Sequence, residues 1–132
     1  MRIYVAGMYK NKAQLQEVGN RLSLDGHLIT SSWLKESHAP NIQLSDLSDE
    51  WLADIALKDI QEVASSDAMV FFSESDQTPT YRNGRMVEFG IAQLMNIPIH
   101  VVGPRENIFF YTSNVSIYDT VDEMIRALAG GI

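Results

Sequence analysis

Apolar residues recur along this chain with two alternating periods. Residues 2–6, Arg-Ile-Tyr-Val-Ala, form a short β-branched and aromatic run stopped by Gly7, which predicts a strand. Over 11–25, Leu15, Val18 and Leu22 fall at helical spacing, and Asp25-Gly26 ends the segment. His27 to Thr30 predicts a short second strand. Residues 36–46, with Pro40 and Asn41 among polar neighbours, read as loop. A longer helix is predicted over 48–65, with Ser48 as N-cap and Leu52, Ile55, Ala56, Ile60 and Val63 on its apolar face. Ala68-Met69-Val70-Phe71-Phe72 is continuously apolar, the pattern of a parallel strand covered on both faces. A polar loop follows from Ser73 to Gly84. Val87, Ile91 and Leu94 then predict a helix over 85–96, and an apolar strand over 97–102 is broken by Gly103-Pro104. The last helix is predicted over 119–129, capped by Asp119 or Thr120 and stopped at Gly130-Gly131.

Strands alternating with helices imply βαβ units and a parallel sheet covered on both faces. The expected architecture is α/β: a three-layer, flavodoxin-like sheet of five parallel strands in the order 2-1-3-4-5, within a single domain spanning 1–132. In such a sheet a ligand sits beyond the carboxyl ends of the strands. That selects the loops after Ala6, Thr30, Phe72 and Val102 as the place to look for chemistry.

Composition narrows the classes of function. The chain has 132 residues, 45% hydrophobic and 20% charged, which is ordinary for a folded domain. Without cysteine there is no disulfide framework, thiolate nucleophile or Cys-based zinc site. His27, His38 and His100 lack metal-ligand spacing, so no metal is expected. The net charge of −7, from 10 basic and 17 acidic residues, argues against a nucleic-acid polymer as partner. It leaves room for a small phosphorylated ligand, which needs only one or two local cations. No apolar run approaches the roughly 20 residues needed to span a bilayer, and the first apolar stretch is shorter than a signal segment. A cytoplasmic location is the expectation.

Several residues stand out against this background. Ala6-Gly7-Met8-Tyr9 follows the first strand without a GxGxxG fingerprint. Gly7 there reads either as a tight turn or as a place for close ligand approach. Asp59 falls on the helix face shared by residues 52, 55, 56 and 63, otherwise apolar, where a carboxylate is costly unless paired or used. Glu88, in Gly84-Arg85-Met86-Val87-Glu88-Phe89-Gly90, lies early in a helix. It reads either as a favourable charge on the helix dipole or, desolvated by its apolar neighbours, as a nucleophile. Arg82 and Arg85 flank Asn83-Gly84 at the same helix start, as solvated charges or as an anion site with the free helix N–H groups. Tyr4 reads as a core aromatic, and Trp33 as packing or as a platform for a flat base.

Three segments, in order, resemble the nucleoside 2-deoxyribosyltransferase family, which includes the 2′-deoxynucleoside 5′-monophosphate N-hydrolases. Ile3-Tyr4-Val5-Ala6-Gly7 is similar to the family's opening Tyr-x-x-Gly. Asp59 and Asp67, the latter in Ser-Asp-Ala-Met-Val, resemble its helix-then-strand aspartates, and Gly84 to Ala92 resembles its G-x-x-x-E-L/F-G-x-A signature. The likeness runs from residue 3 to about 110. It implies Glu88 as the nucleophile at C1′, Asp59 near the leaving base or orienting the sugar, and Tyr4 positioning the carboxylate or the sugar. Gly7, Met8, Trp33, Gly84 and Arg85 are expected to line the substrate site. Asn107 would meet the 5′ end of a ligand in a neighbouring subunit, and so the family likeness implies a homodimer or larger homo-oligomer. At the position six before the glutamate, where similar transferases carry an acid for the free 5′-hydroxyl, this chain has Arg82, which fits a 5′-phosphate better.

The resulting expectation is an enzyme that cleaves or transfers at the N-glycosidic bond of a 2′-deoxynucleotide or 2′-deoxynucleoside, without metal or organic cofactor. Two alternatives are an NAD or ribonucleotide glycohydrolase and a non-catalytic nucleotide-binding module.

Overall fold

The alternating periods become alternating strands and helices. A computed structural model describes residues 1–36, 47–74 and 83–130. The strands are β1 (Arg2–Ala6), β2 (Leu28–Ile29), β3 (Ala68–Phe72), β4 (Ile99–Val102) and β5 (Val115–Tyr118). The helices are α1 (Lys12–Leu24), α2 (Asp49–Ala64), α3 (Gly84–Leu94) and α4 (Val121–Gly130). All strand pairings are parallel, and the order is β2-β1-β3-β4-β5, as expected.

The sheet is buried on both faces because its strands alternate between two cores. Ile3 and Val5 of β1, with Ala68, Val70 and Phe72 of β3, pack on Leu15, Val18 and Leu22 of α1 and Met124 and Leu128 of α4. Tyr4 and Ala6, with Met69, Phe71, Ile99 and Val101, face Val63 of α2 and Phe89 and Ala92 of α3. Tyr4 is fully buried in this second core. Its neighbours Ile3 and Val5 point to the opposite face, so β1 aims Tyr4, with the small Ala6, at the layer that carries Asp59 and Glu88.

Element ends follow local chemistry. Ser48 caps α2, its hydroxyl accepting from the Trp51 N–H at 3.1 Å. Beyond the end of α3, Asn96 takes a left-handed φ of 55°, and Ile97 and Pro98 precede β4 rather than belonging to it. The second strand shrinks to two residues, although Leu28 N–H to Met1 O and Thr30 N–H to Ile3 O extend its bonding to β1. The strand left unplaced by the sequence pattern is β5, at the sheet edge. The run Phe109-Phe110-Tyr111 lies in a 3-10 turn and divides: Phe110 is core, while Phe109 and Tyr111 are exposed.

Candidate active site

Tyr4 and Glu88 meet where α3 packs against β1. A buried tyrosine hydroxyl needs a partner, and the Tyr4 hydroxyl donates to Glu88 Oε2. Burial foremost, and then the charges of Glu88 and Asp59, push the Tyr4 hydroxyl well above its ordinary range, so it remains a donor. Burial pushes the Glu88 carboxyl up to about 8. The Tyr4 hydrogen bond opposes that rise, and the negative charges of Asp59 and Glu62 add to it.

Asp59 comes from the neighbouring layer position, on α2. The face it shares with residues 52, 55, 56 and 63 is shallower than expected: Val63 is buried, Leu52 and Ile55 are half-buried, and Ala56 is exposed. Asp59 is half-buried, yet its Oδ1 atom is out of water and has no hydrogen-bond partner. Burial raises its pKa to about 6, Glu36 and Glu62 push the same way, and Lys58 pulls against them. Lys58 is itself ion-paired with Glu36. Two carboxyl groups with separated, raised pKa values beside one fixed hydroxyl form an arrangement suited to acid–base and nucleophilic work.

The other selected residues occupy different surroundings. Gly7 follows β1 in a close approach: a Cβ there would lie 2.6 Å from Leu15 Cδ1 and 3.4 Å from Phe72 Cβ. Met8, half-buried, precedes the 3-10 turn Tyr9–Asn11. Trp33 is half-buried, touches both cores, and donates its indole N–H to the Val5 carbonyl at 2.9 Å, with the Tyr9 ring 6.3 Å away. Gly84 opens α3 and is exposed. Asn107 is exposed and caps the turn Ile108–Tyr111, its Oδ1 accepting from the Phe109 N–H at 2.9 Å. It lines a surface pocket of about 330 Å³ with Met86, Phe89, Gly90, Gln93 and Phe109. Arg82 lies outside the described residues.

Arg85 is neither solvated nor free at the helix start. Its guanidinium forks onto Glu106, Nη1 to Oε2 at 2.5 Å and Nη2 to Oε1 at 2.8 Å. Glu106 and Glu62 were not singled out by the sequence pattern. Glu62 sits three residues from Asp59, on the same side of the helix, and that spacing is the signal that points to it. Glu106 carries no local signal, because its partner is distant in sequence. Among the described residues, no three His, Cys, Asp or Glu side chains converge as a metal site requires.

No protein-family model matches the chain, and no curated protein sequence does. Solved structures do. A 2-deoxyribosyltransferase from Bacillus psychrosaccharolyticus superposes with a TM-score of 0.67 at 18% identity, over 95% of this chain and 90% of that one. The CMP N-glycosidase BcmB from Clostridium botulinum gives 0.60 at 18% identity, over 97% and 98%. BlsM, solved in solution, gives 0.62 at 14% identity, over 99% and 88%. The chain shares their fold. The likeness to the deoxyribosyltransferase and the CMP N-glycosidase extends across nearly all of it.

Proposed function

We propose that this protein breaks the N-glycosidic bond of a nucleoside or nucleotide, releasing the base to water or passing the sugar to a second base. The observation that carries this reading is the fully buried Tyr4 hydroxyl bonded to a Glu88 carboxyl of raised pKa, with Asp59 on the adjoining helix. In the ligand-free site the higher pKa leaves the proton on Glu88; in this reading that proton passes to Asp59 as the substrate binds, and the Glu88 carboxylate so formed attacks C1′. The C1′–N bond breaks, its electron pair leaves with the base, and protonated Asp59 supplies a proton to that base. The transition state resembles an oxocarbenium ion, which a carboxylate beneath C1′ stabilises. Water or an acceptor base then displaces Glu88 from C1′, and Asp59, ionised by the first step, takes up the proton that the nucleophile loses. Tyr4 holds the carboxylate in line and, as a hydrogen-bond donor, favours its ionised form.

Arg82 favours a 5′-phosphate over a free hydroxyl, and the CMP N-glycosidase among the structural neighbours is in keeping with a nucleotide. The same neighbour brings ribose into the reading beside deoxyribose. Asn107 is assigned to the 5′ end of a ligand held by a second protomer. That homodimer reading is supported by exposed Val87 and Leu94 on α3 and exposed Ile108, Phe109 and Tyr111 beside Asn107.

The test is incubation with ribo- and deoxyribonucleosides, their 5′-monophosphates and NAD, with and without an acceptor base, followed by chromatography. Release of free base from a monophosphate is expected. Nicotinamide release alone would move the assignment to an NAD glycohydrolase. Binding detected by thermal shift, with no base released from any compound, would make it a binding module.

A further inference from the structure

Three of the loops at the carboxyl edge of the sheet, those after β1, β3 and β4, are joined by one polar network that ends a turn away from Glu88. Asn11, after β1, donates its side-chain N–H to Glu74 Oε1 at 2.8 Å. Glu74, after β3, donates its backbone N–H to Glu106 Oε2 at 3.0 Å. Glu106, after β4, receives both terminal nitrogens of Arg85. The Arg85 and Glu106 side chains are only 8% and 10% exposed, and the guanidinium lies over the Phe71 ring, 5.4 Å from its centre.

Stability alone is a poor account of such a pair. Burying two charges costs desolvation that their attraction offsets only with good geometry, and apolar residues of similar volume often serve a core as well. What a bidentate pair adds is a fixed orientation. Arg85 precedes Glu88 by three residues, so both project from one side of α3. Apolar packing by Phe89 and Ala92 holds α3 on the sheet, but such contacts are non-directional.

We propose that the Arg85–Glu106 pair is the positioning element of this site: it fixes the rotation of the first turn of α3, and so keeps the Glu88 carboxyl on the Tyr4 hydroxyl. The proposal rests on the reading of Glu88 as the nucleophile, and it makes Arg85 a positioning residue rather than a ligand for phosphate. It also links the loops after β1, β3 and β4 to the orientation of that carboxyl.

The test uses Glu106→Gln and the double variant Arg85→Met/Glu106→Leu. The second removes both charges, so folding does not have to tolerate one buried unpaired ion. Carboxyl-¹³C NMR follows the titration of Glu88 in the ligand-free protein, with Tyr4→Phe as reference. Tyr4→Phe moves that titration upward, because the bond it removes favours the carboxylate; Asp59 and Glu62, the other charged groups acting on Glu88, remain in place. The folded clamp variants are expected to move it upward likewise. On the substrate identified by base release, kcat is expected to fall about tenfold or more with KM little changed. Titration of Glu88 as in the parent protein, in a variant that is folded by circular dichroism, overturns the proposal and leaves the pair a purely structural one. Because that titration needs no substrate, it decides the positioning role even if no base is released.

Discussion

Glu88 carries a cost that a purely structural residue would not. An ordinary glutamate has lost its proton well below neutrality, whereas this one holds it to about 8. Below about 4.5 the carboxyl is protonated in both folded and unfolded chains and has no differential effect. Between about 4.5 and 8 the unfolded chain ionises while the folded one retains the proton, so stability falls as pH rises. Above that window the whole penalty is present. Glu88→Gln is therefore expected to stabilise the fold at pH 9 by up to about 5 kcal/mol, and hardly at all at pH 4. Thermal melts of both proteins across pH check this, and an equal effect at both pH values would contradict it. At this scale the sequence was legible where a carboxylate sat among apolar neighbours, as Asp59 and Glu88 do. It was not legible for Arg85, since nothing near it in the chain announces Glu106. The spacing of Glu62 from Asp59 was there to be read, but an acid on a helix is usually solvated surface.

Elements were legible wherever the apolar run was long and its end chemically marked. β1, β3, α2 and α3 emerge within a residue or two of their expected bounds, because Gly7, Ser48 and the apolar runs define them. β5 gave no such signal. Val115-Ser116-Ile117-Tyr118 is an edge strand with no buried residue, so tertiary pairing with β4 decides it more than local pattern does. The break at Gly103-Pro104 has a physical reason beyond turn preference. Gly103 has a φ of 117°, and a Cβ there would lie 2.5 Å from Ser73 Oγ and 3.2 Å from the Ser73 carbonyl oxygen. It thereby lets the loops after β3 and β4 approach each other at the ligand-side edge. Gly103→Ala is expected to destabilise the fold by roughly 1–3 kcal/mol in urea denaturation. A neutral or stabilising result would show that this approach is not constrained.

For the whole molecule, strand order and layers followed from the alternation of strands and helices, because parallel crossovers admit few topologies. Assembly is less legible, since exposure is a property of the folded surface. Phe109, Phe110 and Tyr111 look alike in the chain, yet only Phe110 is buried. With Val87, Leu94 and Ile108 exposed as well, this side of α3 carries more apolar surface than an isolated charged domain needs. Light scattering is expected to give at least twice the 14.8 kDa mass of one chain, and Leu94→Glu should shift the assembly toward the monomer. A monomer in the parent protein would remove Asn107 from any shared site. The acidic balance takes on a sharper meaning too: of the 17 acids, Asp59 and Glu88 are held where ionisation is costly. The measurement that bears most directly on the whole account is base release from nucleoside 5′-monophosphates by the parent protein and by Glu88→Ala. The account predicts free base from the parent and a loss of about a thousandfold or more in the variant, with its fold intact. Undiminished base release by Glu88→Ala would contradict it.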